Sequence, residues 1–328
     1  MPAAPTFSVV IPVFNEADSI GELLNGIDAV MERLGHSYEV VAVDDGSVDG
    51  SLETLKQLAG RDRRIRIYSF RRNLGKSPAL TCGFQHAAGQ YVFTLDADLQ
   101  DDPVSLEPMF AALTDRNLDV VSGWRKARRD SIVKVISSKI FNQLVMRLLF
   151  GWSLEDMNSG MKLYRAEVAK DLRLYGGMHR FIPLMAHELG YRVAEVPVTH
   201  HPRKYGASKY RSTKILTEIP DLLTLFFLTK YTRRPLHFFG RIGSALFVVG
   251  FAILAYLSYL WTQGIGIGTR PLLTFGVLLV LIGGQTVFTG LIADLIVNVN
   301  ESRPQPFPIK YASDEDAADR NDIRSVRL

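Results

Sequence analysis

The chain has 328 residues, of which 47 % are hydrophobic and 22 % charged, and its formal net charge is +4. That length fits one large domain with a smaller addition, and that composition excludes a disordered chain. A single cysteine, Cys82, excludes an internal disulfide and suits a reducing compartment.

The first segment, MPAAPTFSVVIPVF, lacks a basic region before its apolar run and is interrupted by prolines, so no cleaved signal peptide is expected. Residues 7–13 read as a buried strand, and Ile20, Leu23, Leu24, Ile27, Val30, Met31 and Leu34 recur at helical spacing. A strand at 38–43, a helix at 51–59 and a strand at 65–70 follow. Next come a helix over 77–89, a strand at 91–95 and a helix from Pro103 to about Asp115, and 118–123 closes the series. Alternating units with continuous apolar strands imply a mostly parallel sheet covered on both faces. In such sheets ligands bind outside the carboxyl ends of the strands.

Two later stretches change the class. Residues 238–262 and 271–298 are each long enough to cross a hydrocarbon core of about 30 Å, and core helices rarely run so long. Arg241 and Asp294 sit near ends that reach headgroups. Lys230, Arg233 and Arg234 precede the first span, Arg303 and Lys310 follow the second, and only Arg270 lies between. The positive-inside rule then puts both termini in the cytoplasm. A hairpin anchor in the inner membrane is the expectation. The pair Gly283-Gly284 would let such helices approach closely, which leaves a homo-oligomer open.

Acidic residues cluster after predicted strands: Asn15 and Glu16, Asp44 and Asp45, and the run FTLDADLQDDP with Asp96, Asp98, Asp101 and Asp102. Uncompensated, such carboxylates repel one another. Helix capping accounts for Asp49 or Ser51, and for Asp101 or Asp102 ahead of Pro103. It does not account for Asp96 and Asp98. Oxygen ligands at alternate positions suit a hard divalent ion that also holds phosphates, Mg²⁺ or Mn²⁺.

Three decoys fail. NLGKS (73–77) lacks the first glycine of a Walker loop, since position 70 is Phe70. HELGY (187–191) has Tyr191 where a zinc protease needs its second histidine. Phospho-acceptor receiver domains share an aspartate pair after a strand, but they are much smaller and carry no such hairpin. His200 and His201 read as strand-end and loop residues, not ligands.

SVVIPVFNE, VAVDDGSVDGS, RNLGKSPAL, LDADLQDDP and MNSGMKLY, in that order over about residues 7–210, resemble the successive motifs of glycosyltransferase family 2. With the hairpin, the chain looks like the polyisoprenyl-phosphate glycosyltransferase branch, which includes bactoprenol glucosyltransferases and dolichol-phosphate mannose synthases. The resemblance implies a GT-A fold, an α/β nucleotide-sugar-binding sheet, and inverting transfer of a sugar to a lipid phosphate. No Gln-x-x-Arg-Trp motif of the processive synthases is present.

Carried across residue by residue, the resemblance has Pro12, Phe14 and Glu16 bordering the nucleobase and ribose, with Asp44 and Asp45 bonding the base. Asp98 and Gln100 become metal ligands, and Asp96 touches metal or sugar. Arg125 matches a phosphate-binding arginine and Asp156 the candidate catalytic carboxylate. Met157 and Met161 depart from many relatives. A phosphate monoester has a second pKa of about 6 and attacks as a dianion, so Asp156 is expected to orient groups more than to remove a proton.

Cations must gather that phosphate at the bilayer surface. Arg128, Arg129, Lys134 and Lys139 flank an apolar helical face, and Arg203, Lys204, Ser208 and Lys209 lie in a second basic run. Arg128, Lys139, Arg203, Ser208 and Lys209 are the candidate acceptor-phosphate residues. The expected organisation is a cytoplasmic catalytic domain over 1–210 with an interfacial helix at about 131–150. A juxtamembrane amphipathic helix follows over 211–235, then two spans over 236–300 and a mobile tail over 301–328. The expected reaction transfers glucose from UDP-glucose to undecaprenyl phosphate. Two alternatives stay open: GDP-mannose with dolichyl phosphate, and a non-catalytic nucleotide-sugar-binding membrane partner. No feature points to nucleic acid.

Overall fold

The structure, a computed structural model, describes residues 4–126, 146–174, 176–202, 204–205, 234–268 and 270–301, with positions 224, 226, 227 and 231. The chain divides into two compact units, Met1–Leu225 and Phe226–Leu328.

In the first unit, β1 (Phe7–Val13), β2 (Tyr38–Asp44), β3 (Ile65–Ser69) and β4 (Tyr91–Thr94) alternate with three helices. These are α1 (Ile20–Leu34), α2 (Ser51–Arg61) and α3 (Lys76–His86). A 3₁₀ turn at Pro103–Ser105 leads into α4 (Leu106–Asp115), and β5 (Val120–Trp124) follows. All but one residue of β1 is buried, as a central strand covered on both faces requires. The sequence reading of this half holds, including the cap: Asp102 accepts the Val104 N–H at 3.0 Å.

The series does not close at β5, and here the expectation is corrected. β6 (Lys162–Arg165) and β7 (Val193–Pro197) complete a seven-stranded sheet in the order β3-β2-β1-β4-β6-β5-β7. β6 runs antiparallel to both β4 and β5, and every other pair is parallel. Its four residues, KLYR, are too few to show a period. The reversal decides the site, because the amino end of β6 lies where β4 and β5 end.

Between these strands lie α5 (Met146–Phe150), α6 (Ala166–Asp171) and α7 (Ile182–Glu188). The expected interfacial helix falls mostly outside the described residues, as does most of 211–235.

The second unit is a helical hairpin of α8 (Pro235–Thr262) and α9 (Pro271–Glu301). At 1.5 Å per residue, α8 spans about 42 Å, more than a bilayer core requires. Both helices present large apolar side chains outward, such as Phe251 at 62 % and Leu295 at 63 % exposure, unlike core helices. A Cβ on Gly283 would lie 2.6 Å from the Phe247 nitrogen, so this glycine serves packing inside the hairpin.

Candidate active site

The loops after β1, β2 and β3 form one knitted rim. Asn15, at φ 54, accepts the Val48 N–H at 2.9 Å, and its own N–H donates to Ser47 Oγ at 2.9 Å. Asp44 accepts from Ser47 N–H at 3.1 Å and Ser69 Oγ at 2.7 Å. Asp45 accepts from the Leu74 N–H at 2.7 Å and the Gly75 N–H at 2.9 Å, and from Asn73 Nδ2 at 3.0 Å. Burial, with the nearby Asp44 charge, raises the Asp45 carboxyl against those backbone bonds. Gly46 sits at φ +70, and a Cβ there would stand 2.4 Å from the Arg72 carbonyl carbon, so only glycine lets the loops close. Pro12, Phe14 and Glu16 are half-buried on the same rim. The expected base-site residues are therefore gathered, with both aspartates anchoring loops of their own chain.

Past β4 the chain enters the acidic run. Leu99 is at φ 59, a left-handed conformation rare for a bulky residue and one that concentrates at functional sites. It separates Asp98, whose Oδ1 accepts the Gln100 N–H at 3.2 Å, from Gln100 itself. Asp96 pairs with Lys76, the lysine of the NLGKS decoy. Burial opposes ionisation of Asp96, but Lys76, then Lys162, hold its carboxyl below the usual range. Burial and the Lys76 charge push Lys162 down to about 7, against the pull of Asp96 and Asp156. Burial, with Lys76, Arg180 and Lys162 nearby, pushes His179 down to about 3, leaving a neutral ring at Ser77 Oγ, 3.0 Å away.

The loop entering β6 completes the site. Arg125, just past β5, grips Asp156 with Nε to Oδ2 at 2.7 Å and Nη2 to Oδ1 at 3.0 Å. Asp156 is 2 % exposed and Arg125 18 %. Arg125 Nη2 also donates to the Asn158 carbonyl at 3.2 Å, and Lys162 Nζ donates to the Ser159 carbonyl. So held, the loop lays Gly160 against Asp96: a Cβ there would stand 2.7 Å from Asp96 Oδ2 and 3.1 Å from Asp101 Oδ2. The proposed phosphate arginine and catalytic carboxylate are thus one ion pair.

Asp101 is tied at 3.2 Å to His200 Nδ1, and Asp102 at 3.1 Å to His201 Nε2. These histidines fasten the next segment to the acidic loop, consistent with their reading as strand-end and loop residues. His187 of HELGY stacks on Trp152, with ring centroids 4.5 Å apart. Arg128, Lys139, Arg203, Ser208 and Lys209 lie outside the described residues. Sequence reasoning gave no role to Lys76, Gly160 or Lys162. Lys76 and Lys162 lay inside quoted motifs, but no spacing rule joins positions 76, 96 and 162.

Three observations bear on a divalent ion. The donors at Asp96, Asp98 and Gln100 are all oxygens, Lys76 already stands against Asp96 as a cation, and Gly160 brings bare backbone into close contact with that carboxylate, with no side chain between. Among the described residues, no three His, Cys, Asp or Glu side chains form a ready-made cage. The residues present fit an ion shared with a phosphate ligand.

The glycosyl transferase family 2 model matches residues 8–173, the segment that supplies the rim, the acidic run, Arg125–Asp156 and Lys162. The chain belongs to glycosyl transferase family 2. This glycosyltransferase is 39 % identical over 294 residues to dodecaprenyl-phosphate galacturonate synthase of Rhizobium johnstonii, covering 88 % of this chain and 87 % of that protein. It is 38 % identical over 302 residues to undecaprenyl-phosphate 4-deoxy-4-formamido-L-arabinose transferase of Edwardsiella ictaluri, covering 91 % of each. Among solved structures it is similar to glucosyl-3-phosphoglycerate synthase from Mycobacterium tuberculosis in complex with Mn²⁺ and uridine-diphosphate-glucose. The TM-score is 0.51 at 19 % identity, covering 69 % of this chain and 78 % of that one, a likeness of fold. The GT-A expectation is met.

Gly160→Ala in the transferase is expected to lower turnover about tenfold or more while the protein stays folded, because the methyl group enters the space against Asp96. A steady-state assay beside a thermal melt checks this. Wild-type turnover would remove Gly160 from the site.

Proposed function

We propose that the protein transfers a sugar from a nucleotide-linked donor to a polyprenyl phosphate at the membrane surface, with inversion at the anomeric carbon. The observation that carries the reading is the meeting of Lys76–Asp96 and Arg125–Asp156 at one sheet edge. It is supported by relatives, over about nine-tenths of the chain, whose names are those of polyprenyl-phosphate sugar transferases. The apolar hairpin supplies the membrane anchor, with both termini cytoplasmic in this reading.

Pro12, Phe14 and Glu16 border the base and ribose, with Asp44 and Asp45 fixing that rim. Asp96, Asp98 and Gln100 hold Mg²⁺ or Mn²⁺ with the donor's diphosphate. When bound, the ion neutralises charge building on the leaving group. Arg125 offers the edge of its guanidinium to the same phosphates while its fork fixes Asp156. Lys76 offsets part of the acidic run's charge when the diphosphate arrives. The acceptor, already a dianion, needs no proton removed. Asp156 therefore orients Arg125 and the sugar hydroxyls. Arg128, Lys139, Arg203, Ser208 and Lys209 are proposed to gather the lipid phosphate.

Glucose from UDP-glucose onto undecaprenyl phosphate remains the first pair to test, and the relatives' names add uronate and formamido-arabinose donors. The purified full chain is incubated with Mn²⁺, either undecaprenyl phosphate or dolichyl phosphate, and labelled UDP-glucose, UDP-galacturonate, UDP-4-deoxy-4-formamido-L-arabinose or GDP-mannose. Label entering the lipid phase supports the reading and names the sugar. Transfer restricted to GDP-mannose and dolichyl phosphate selects the first alternative, and donor binding without transfer selects the non-catalytic one.

A further inference from the structure

Glu195 lies on β7, which pairs with β5 in the register Ser122↔Glu195 and Trp124↔Pro197, one residue short of Arg125. Ala194 and Val196 pack against one apolar core, so alternation turns Glu195 to the other face. A half-buried acid on the edge strand of a sheet needs compensation. Here the compensation is backbone: Glu195 Oε2 accepts the Glu155 N–H at 2.6 Å and Oε1 accepts the Asp156 N–H at 2.7 Å. Burial, and behind it the charges of Asp156 and Glu155, raise the Glu195 carboxyl against the pull of those two bonds. An acid placed beside two others is a poor choice for stability alone. Two consecutive N–H groups on one carboxylate do something more specific: they fix the peptide planes on either side of residue 155, the second of which carries the Asp156 N–H. That plane sets the direction of the Asp156 side chain, whose two oxygens meet Arg125 Nε and Nη2 at 2.7 and 3.0 Å.

We propose that Glu195 is a positioning residue for sugar transfer, aiming the Asp156 carboxylate into the Arg125 fork by holding the Glu155 and Asp156 amides. The inference rests on the proposed role of the Arg125–Asp156 pair. Glu195 touches neither donor nor acceptor, and its effect passes through Asp156.

Glu195→Gln keeps the size and one acceptor oxygen but turns an NH₂ group toward one of the two amides. In the full-length protein it is expected to lower kcat about 10- to 100-fold with the donor KM little changed, the worth of one charge-assisted hydrogen bond. Asp156→Asn serves as comparator, and Asp156→Asn with Glu195→Gln is expected to be no slower than Asp156→Asn alone. Glu195→Asp, one methylene short, is expected to be impaired as well. Losses that multiply in the double variant, or a fall in donor affinity and melting temperature that matches the loss of kcat, would assign Glu195 a purely structural role. Wild-type kcat in Glu195→Gln beside an impaired Asp156→Asn overturns the Glu195 proposal alone. Wild-type kcat in Asp156→Asn overturns the underlying reading and this proposal with it. Hydrogen exchange across 151–161 reads the same contact without turnover. Faster exchange at residues 155 and 156 in Glu195→Gln is expected, and unchanged exchange overturns the proposal.

Discussion

Arg125→Met is expected to abolish sugar transfer and to lower stability by about 3–5 kcal/mol, the usual consequence of breaking one side of a buried pair. Asp156 is 2 % exposed, so its charge has no solvent to turn to when the guanidinium is gone. Its neighbours make matters worse. Glu195 already contacts its backbone N–H, and Asp96 and Asp101 are near enough for their charges to act on Arg125. In a unit of this size the melting temperature should fall by about 6–20 °C. Arg125→Lys keeps the charge and loses the planar fork, so it should fall between the two in both stability and rate. Arg125→Met with Asp156→Leu removes both charges and is expected to recover most of the stability without recovering transfer. A methionine variant that melts and turns over like the wild type would show that the pair holds nothing in place.

Neutralising the acidic run should have the second large effect. Asp98→Asn and Asp96→Asn are each expected to cut turnover by more than about 100-fold, since even outer residues around a metal are worth 10- to 100-fold. Donor binding is expected to weaken with EDTA in the wild type and to be insensitive to EDTA in both variants. Asp96→Asn carries a further signature, because it takes the counter-charge from Lys76 and Lys162. Lys162 in the folded chain titrates at about 7, below its free value of 10.5. Between those values the unfolded chain binds more protons, so the stability contributed at this site rises with pH across the window. Asp96 raises the Lys162 pKa, so the Asp96→Asn protein should lose most stability at this site just below pH 7, where wild-type Lys162 is protonated, and the loss should shrink as pH rises above 7. A pH series of thermal melts reads this directly, and a flat difference across the series would contradict the placement of Lys162 beside Asp96.

The first half of the fold is legible because its strands are continuous apolar runs and its helices have a clear period. Phe7–Val13 and Ile20–Leu34 fall where the pattern puts them, and the rule that ligands gather at carboxyl ends leads straight to Asp44 and Asp96. The second half is less legible. KLYR is too short to announce a strand, and its antiparallel insertion between β4 and β5 is a tertiary choice that local pattern does not record. Everything that depends on that insertion was therefore out of reach: Lys162 between two acids, Gly160 against Asp96, and Glu195 under the Asp156 backbone. Arg125 and Asp156 were each visible through family resemblance, but not that they bind each other. Lys76 shows the opposite hazard. Its stretch is correctly rejected as a Walker loop, and the lysine nevertheless reaches the acidic site from a different direction.

Mass spectrometry of the lipid recovered from a complete reaction tests the central claim most directly. The purified chain, Mn²⁺, undecaprenyl phosphate and the active donor should yield a polyprenyl monophosphate heavier by one sugar, with one nucleoside diphosphate released per lipid modified. Neither product should form when the lipid phosphate is omitted. Donor consumed to free sugar at the same rate with and without the lipid, or a lipid diphosphate as the product, would contradict the account.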